Sequence, residues 1–245
     1  TFNSPGTQTY KTNFSVSATT TASGLSVTIT TSGDCTGSGT GTVTITPTLA
    51  GSSNCTLTAS QAGDATYAPA NDVSAVISIS KVSLTVTPSA LTLNYGDAVP
   101  TYSKSVTGFV STDTADNASG YVAPQCTSSY SNSSSVTTSP LTISCTTGSA
   151  DNYSFNTSAT ANLTINKASQ NISFTSPGTK TFGSTFTTTA TSSSGLSVTI
   201  TASGDCSGTG TSPVTITPTA AGSNCVLTAS QAGDNDYSAA SNSVN

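Results

Sequence analysis

Apolar and polar residues alternate along this chain with a period of two. In residues 25–29 (LSVTI) and 43–45 (VTI), aliphatic side chains occupy every second position, and Ser or Thr occupies the positions between them. This alternation is typical of a strand with one buried and one exposed face, and no segment shows the helical period. Clusters of Gly, Ser and Thr, such as residues 37–41, separate the strands. The pattern predicts an all-β protein of short strands that pack as β-sandwiches.

The first and last thirds of the chain are copies of one module. FNSPG at residues 2–6 returns as FTSPG at 174–178, and GLSVTIT at residue 24 returns unchanged at residue 195. A different segment lies between the copies. Self-similarity of this kind indicates a tandem array, so we predict three domains, 1–81, 82–167 and 168–245. The apolar positions predict the core of the first domain as Phe14, Leu25, Val27, Ile29, Val43, Ile45, Leu57 and Ile77.

The six cysteines fall into three pairs of nearly equal spacing. Zinc sites use Cys-x-x-Cys pairs or His partners, and the chain has neither. We therefore predict one disulfide within each domain, each worth about 3 kcal/mol for a loop of this length. Disulfides persist in oxidising compartments, so we expect an exported, extracellular protein. The predicted pairs are Cys35–Cys55, Cys126–Cys145 and Cys206–Cys225.

The composition disfavours catalysis. The chain lacks His, Arg and Glu, so it offers no Ser-His-Asp triad, no Cys-His pair and no His metal ligand. We expect no enzymatic activity, cofactor or catalytic metal. The five basic residues are all Lys and the net charge is -5, so nucleic acid is excluded as a partner. No apolar run approaches the ~18 residues of a membrane span, so we expect no membrane insertion.

Each domain carries an aspartate shortly before a tyrosine. In immunoglobulin-like sandwiches, a tyrosine at a turn often bonds to the backbone and fixes a corner. We predict this structural role for Tyr67, Tyr153 and Tyr237, which follow Asp64, Asp151 and Asp234.

Two alternatives concern the charged residues. Calcium binding at the domain junctions would need several oxygen ligands in one place, whereas the available aspartates are scattered. Lys-Asn cross-links would need a Lys at the same strand position in both copies, but Lys11 aligns with Gly183 and Lys180 with Gln8. We therefore interpret the lysines as solvated charges. The aspartates concerned are Asp72, Asp113, Asp116 and Asp236.

The motifs resemble two known families. The outer copies, with GLSVTIT, SGDC, VTITPT and C-x-LTASQAGD followed by Tyr, resemble bacterial immunoglobulin-like (Big-type) repeats of large surface proteins. The middle segment resembles the MBG domain of the YGX type. It carries LNYGDAVPTY at 93–102, VTGFV at 106–110, SPLTISC at 139–145, DNYSF at 151–155 and LTINKA at 163–168.

The resemblance implies a stalk or adhesin region of a long bacterial surface protein, and it supplies no active-site residue. With the strand pattern, it predicts three tandem immunoglobulin-like β-sandwich domains that form an elongated rod. We expect a structural stalk or filament segment whose partners are neighbouring domains or copies of the same protein. The alternative is an adhesive module that binds a glycan or a host protein; repetition favours the stalk.

The sequence begins and ends at the same boundary between repeat units. The first copy continues after Tyr67 into the strand at residues 76–79 (VISI), whereas the third copy stops at Asn245, and the lead-in at residues 167–172 is missing before Thr1. The first domain is then predicted to have an incomplete first strand, and the third to lack its last strand. We expect either a mature or internal segment of a longer repetitive polypeptide, or completion of the third sandwich by a strand from a neighbouring copy.

Overall fold

The computed structural model describes all residues from Thr1 to Asn245. The protein is all-β, with 24 strands in several small sheets. Its one helical element is a short 3-10 turn, Val136–Thr138.

The first copy forms two sheets. One has the order β1-β8-β7-β3-β5 and the other β2-β6-β4. The strands are β1 (Gln8–Thr9), β2 (Phe14–Ser17), β3 (Thr28–Gly33), β4 (Cys35–Thr36), β5 (Gly39–Thr40), β6 (Thr42–Pro47), β7 (Gly51–Gln61) and β8 (Ala70–Ser80).

Alternation places the aliphatic residues of both sheets in one core. Ile29, Leu57 and Ile77 of the larger sheet and Val43 and Ile45 of the smaller one are buried together, as the sequence predicts. Each such side chain stabilises the fold by about 1.5–3 kcal/mol.

Three members of the predicted core are less buried than expected. Phe14 and Val27 are partly buried against the cluster, and Leu25 is half-buried. Strand β3 begins at Thr28, where its pairing with β7 begins, so Leu25 and Val27 precede the strand.

The middle segment also forms two sheets, of orders β10-β15-β13-β12 and β11-β9-β14. Two of its pairings are parallel, β10 with β15 and β9 with β14. The strands are β9 (Val82–Pro88), β10 (Leu91–Asn94), β11 (Lys104–Thr107), β12 (Cys126–Ser128), β13 (Leu141–Cys145), β14 (Tyr153–Asn156) and β15 (Ala161–Asn166).

The third copy forms the sheets β21-β19-β23-β24, β17-β22-β20 and β16-β18. The first two repeat the strand order of the first copy, except that β1 has no counterpart, and β16-β18 is an additional sheet. The strands are β16 (Ile172–Phe174), β17 (Phe186–Thr188), β18 (Ala190–Ser192), β19 (Thr199–Ser203), β20 (Cys206–Ser207), β21 (Thr209–Thr211), β22 (Val214–Pro218), β23 (Val226–Gln231) and β24 (Ala240–Val244). Its core contains Ile200, Ile216 and Leu227.

Strand β8 is longer than the sequence indicates, because it begins at Ala70 rather than near Val76. Its counterpart β24 begins at the equivalent Ala240 and pairs with β23. The first part of the strand that we expected to be missing from the third copy is therefore present.

Three disulfides join the cysteines in sequential pairs. Cys35–Cys55, with a Cα–Cα distance of 5.5 Å, links β4 to β7 and so connects the two sheets of the first copy. Cys206–Cys225, with a Cα–Cα distance of 5.2 Å, joins β20 to the residue directly before β23. Cys126–Cys145 joins the adjacent strands β12 and β13.

The chain divides into two compact units. The first contains the whole first copy, and the second contains the whole third copy. The first unit is Thr1–Ser89, Tyr102–Thr127 and Ile143–Ala161, and the second is Ala90–Thr101, Ser128–Thr142 and Asn162–Asn245. The division into three domains stays a prediction. No helix is long and apolar enough to cross a membrane.

Candidate functional site: two junctions of one design

The outer copies each contain a turn held by an aspartate. In the first copy, the Oδ1 atom of Asp64 accepts hydrogen bonds from the N–H groups of Thr66 (2.7 Å) and Tyr67 (2.8 Å). In the third copy, Asp234 accepts equivalent bonds of 2.8 Å from the N–H groups of Asp236 and Tyr237. The aspartate fixes each turn, and the tyrosine lies at its end.

The three predicted tyrosine corners differ in their environments. Tyr67 is 45% exposed, whereas Tyr153 is 2% exposed. The Tyr153 hydroxyl accepts a 3.3 Å bond from the N–H group of Val110. Asp151 does not hold a turn of the Asp64 type, since its carboxylate accepts from the Ser119 hydroxyl at 2.5 Å.

The first junction follows strand β8, where the first copy passes into the middle segment. The N–H group of Tyr10 donates to the Ser80 carbonyl at 3.0 Å. The next residue, Lys81, extends its Nζ atom to the Ala150 carbonyl at 2.9 Å. The N–H group of Val82 then donates to the carbonyl of Asn152 at 3.0 Å.

Two side-chain contacts complete the first junction. The Asn152 side-chain carbonyl accepts a 2.8 Å bond from the N–H group of Ala50. Asn152 is 5% exposed, so this bond satisfies a buried polar group. The rings of Tyr10 and Tyr153 lie edge to face, with centroids 5.7 Å apart.

The second junction follows strand β15 and uses the same backbone contacts. The N–H group of Tyr95 donates to the Asn166 carbonyl at 2.9 Å. Lys167 donates from Nζ to the Asp234 carbonyl. The N–H group of Ala168 donates to the Asp236 carbonyl at 2.8 Å.

The side-chain contacts also recur. The Oδ1 atom of Asp236 accepts a 2.8 Å bond from the N–H group of Val136 and a 2.7 Å bond from the Ser135 hydroxyl. The rings of Tyr95 and Tyr237 lie edge to face at 5.3 Å. Both junctions therefore combine a linker lysine, an acceptor side chain and a tyrosine pair. In chain order the equivalent residues are Tyr10 and Tyr95, Lys81 and Lys167, Asn152 and Asp236, and Tyr153 and Tyr237.

The tyrosine of the second junction begins a tight turn. Gly96 follows Tyr95 with a φ of 86°, a conformation that glycine adopts without steric cost. The Oδ2 atom of Asp97 accepts a 2.7 Å bond from the N–H group of Asn94 and closes the turn.

Residues 84–164 form an MBG domain (YGX type). No curated protein matches the chain.

The MBG domain contains a carboxylate with three side-chain donors. Asp113 accepts hydrogen bonds from Lys11 at 2.5 Å, from the Tyr153 hydroxyl at 2.6 Å and from the Tyr10 hydroxyl at 3.0 Å. Its side chain is 12% exposed. Lys11 also lies 5.3 Å from the centroid of the Tyr10 ring. This cluster adds an ion pair to the first junction.

The cluster shifts the pKa values of its members. Burial raises the pKa of Asp113, but the hydrogen bonds from Lys11, Tyr153 and Tyr10 outweigh it, and the net pKa lies below its usual value. The hydrogen bond to Asp113 raises the pKa of Lys11 despite the opposing effect of burial. Burial, together with the hydrogen bond to Asp113, raises the pKa of Tyr153 to about 12. Ordinary pH therefore keeps the ion pair charged and the phenol neutral.

The structure changes the interpretation of the lysines. Lys11 forms an ion pair, and Lys81 and Lys167 donate to backbone carbonyls, whereas the sequence indicated solvated charges. One signal could have identified the linker lysines, because each stands at a predicted domain boundary directly after a strand ending in Ile-Ser or Ile-Asn. The four scattered aspartates do not come together, and no group of three His, Cys, Asp or Glu side chains could hold a metal ion.

The MBG domain supplies residues to both junctions, Asn152 and Tyr153 to the first and Tyr95 and Val136 to the second. MBG domains are typical of bacterial surface proteins, which is consistent with a structural or adhesive role. The disulfides indicate the same extracellular setting.

Proposed function

We propose that this chain is a structural segment of an exported bacterial surface protein. Two bacterial immunoglobulin-like repeats flank the MBG domain, and the three β-sandwiches form an elongated rod. The rod projects other parts of the protein from the cell and carries no catalytic activity. Its partners are neighbouring domains of the same kind.

The repeated junction is the observation that supports this proposal most. A spacer must resist bending where one domain meets the next, and each junction places a linker lysine and an acceptor side chain there. A hydrogen bond contributes about 1 kcal/mol and an aromatic pair about 0.5–1.5 kcal/mol. The contacts of one junction together disfavour an open hinge by on the order of 3 kcal/mol, which is more than a hundredfold in population.

The disulfides suit the same role. Each closes a loop of 19 or 20 residues within one domain, and such a bridge stabilises a small domain by about 3 kcal/mol. A domain held in this way stays folded in the extracellular medium without a large core.

Small-angle X-ray scattering of the oxidised chain tests the proposal. Three sandwiches in line would reach on the order of 100 Å. A radius of gyration of roughly 18 Å, as for one globular domain of this length, would rule out the rod.

Junction variants test the mechanism. Asn152→Ala and Asp236→Ala each remove the acceptor side chain of one junction, and we expect a broader distribution of interatomic distances in both. Thr66→Ala is the matched control, because Thr66 occupies the equivalent position in the first copy's turn and takes part in neither junction. If all three variants scatter like the native protein, the junctions do not set the shape of the chain.

A further inference from the structure

The strands that lead into and out of the MBG domain are both interior strands of their sheets. Strand β9 follows directly after the first copy and lies between β11 and β14. Strand β15 precedes the third copy and lies between β10 and β13. Each therefore has hydrogen-bonded neighbours on both sides and presents no free edge from which it could be peeled.

Strand β15 is paired in parallel with β10. The register begins with Leu91 opposite Leu163 and ends with Asn94 opposite Asn166, four residue pairs in all. The N–H group of Tyr95 adds a further bond of 2.9 Å to the Asn166 carbonyl. The ladder therefore continues to the last residue of β15.

Side chains reinforce this pair on its inner face. Leu163 and Ile165 are 0% and 2% exposed. They lie opposite Leu91 and Leu93, which are half-buried. Sliding β15 past β10 would move both aliphatic pairs out of register at once, and it would expose apolar surface that is now covered.

The direction of this pairing determines how it responds to tension. The chain enters β10 at the N-terminal end of the strand and leaves β15 at the C-terminal end. In a parallel pair these two points lie at opposite ends of the ladder. Tension between them pulls the strands lengthwise past each other, so all the bonds of the ladder share the load. If the strands were pulled apart from one end, the bonds would carry the load one after another.

The first copy has the same arrangement where it passes into the MBG domain. Strand β1 pairs in parallel with the end of β8, with Gln8 opposite Ile79 and Thr9 opposite Ser80. The N–H group of Tyr10 then donates to the Ser80 carbonyl, as that of Tyr95 does to the Asn166 carbonyl. In both places, the strand that leaves the domain is bonded in parallel to a strand near the start of that domain.

We propose that the MBG domain bears tension along the chain and that the β10–β15 pair is its load-bearing ladder. Unfolding under tension requires β15 to slide lengthwise out of its sheet, which breaks the ladder in a single step. Resistance to forced unfolding depends on the height of this barrier rather than on equilibrium stability. The inference rests on the proposed structural function and deepens it, because it assigns to the segment the task of staying folded while it is pulled.

Single-molecule force spectroscopy of the full oxidised chain tests the proposal by changing only the direction of the load. Handles attached at Ala90 and Asn166, each replaced by an azide-bearing residue, pull on opposite ends of the ladder. Handles at Asn94 and Asn166 pull on the same end and form the matched control, since all these positions are exposed. We expect a rupture force roughly threefold larger in the first geometry at the same loading rate, because four residue pairs share the load instead of one. Equal forces in the two geometries would overturn the proposal.

Pulling the native chain from its two ends tests whether the ladder also resists a load that arrives through the neighbouring domains. A variant with Cys126→Ala and Cys145→Ala identifies the MBG event by its length. The disulfide spans 19 residues, so its removal should lengthen that event alone by about 65 Å. We expect the native MBG event at a force no smaller than in the Ala90–Asn166 geometry, and a force as low as in the Asn94–Asn166 geometry would refute the proposal.

The outcomes are separable from those of the scattering experiments. Scattering measures the shape of the chain without load, whereas the rupture force measures how the ladder breaks. An extended chain with equal forces in the two geometries would disprove the load-bearing ladder and leave the rod. A compact chain with unequal forces would disprove the rod and leave the ladder.

Discussion

The hydroxyl of Tyr153 donates a 2.6 Å hydrogen bond to the carboxylate of Asp113. The same hydroxyl accepts from the N–H group of Val110, so it is satisfied both as donor and as acceptor. A tyrosine that is 2% exposed needs such partners, because a buried hydroxyl without them costs free energy. Asp113 in turn binds Lys11 of the first copy. One carboxylate thereby supports both the interior of the MBG domain and its junction.

Replacing the carboxylate should destabilise the first unit. Asp113→Asn removes the charge that pairs with Lys11 and weakens the bonds from two phenols. We expect a loss of about 1–3 kcal/mol in the free energy of unfolding, measured by chemical denaturation. Asp116→Asn is the control, because Asp116 is exposed and only its N–H group is hydrogen-bonded. Equal midpoints for the two variants would contradict a structural role for Asp113.

Tyr153 should make the protein sensitive to alkali. The folded pKa is about 12, and that of an unfolded tyrosine is about 10. The contribution is fully present below pH 10. Between about pH 10 and 12 the unfolded chain loses the phenol proton first, so stability falls as the pH rises, by up to about 2–3 kcal/mol. Tyr153→Phe should show a shallower decline over this window, and parallel declines would refute the assignment.

In solution each disulfide should join one cysteine to the next cysteine along the chain. Mass mapping of a non-reduced digest should recover Cys35 joined to Cys55, and any link from Cys35 to a later cysteine would disprove the pairing. Replacing both Cys206 and Cys225 by Ala should lower the stability of the third copy by about 3 kcal/mol. The unfolding midpoint of the oxidised variant measures this loss.

The glycine before the third-copy turn should resist substitution. Gly233 has a φ of 80°, and a Cβ atom there would lie 2.4 Å from the carbonyl oxygen of Tyr237. Gly195 has a φ of 77°, but a Cβ atom there would meet no other atom within 4 Å. Both alanine variants bear the left-handed conformation, which costs about 1–2 kcal/mol. Gly233→Ala should therefore lower the melting temperature further than Gly195→Ala, and equal shifts would show that the contact with Tyr237 relaxes freely.

The period-two pattern predicted the strands well where a strand has one buried face. Val43 and Ile45 lie buried in β6, as their spacing indicates. Leu25 and Val27 show the same alternation but precede β3. Alternation reports which face is apolar, whereas the start of a strand depends on where its neighbour offers hydrogen bonds.

The junctions could not be predicted in the same way. The ion pair between Lys11 and Asp113 joins residues 102 positions apart, and nothing in local pattern connects them. Comparison of the copies argued against a specific role for Lys11, because Lys11 aligns with Gly183. Aligning the two copies identifies the residues that both share, whereas the contact of the first copy with the MBG domain uses a residue that the third copy lacks.

The difference between Lys11 and Gly183 makes the order of the domains matter. If the first and third copies exchanged places, Asp113 would face a glycine where it now meets an ammonium group, and Phe182 would stand where the Tyr10 hydroxyl now donates. The carboxylate would lose two of its three side-chain donors while remaining mostly buried. Gene rearrangements that shuffle such repeats would therefore not be neutral, since two copies of one module are unequal as neighbours of the MBG domain.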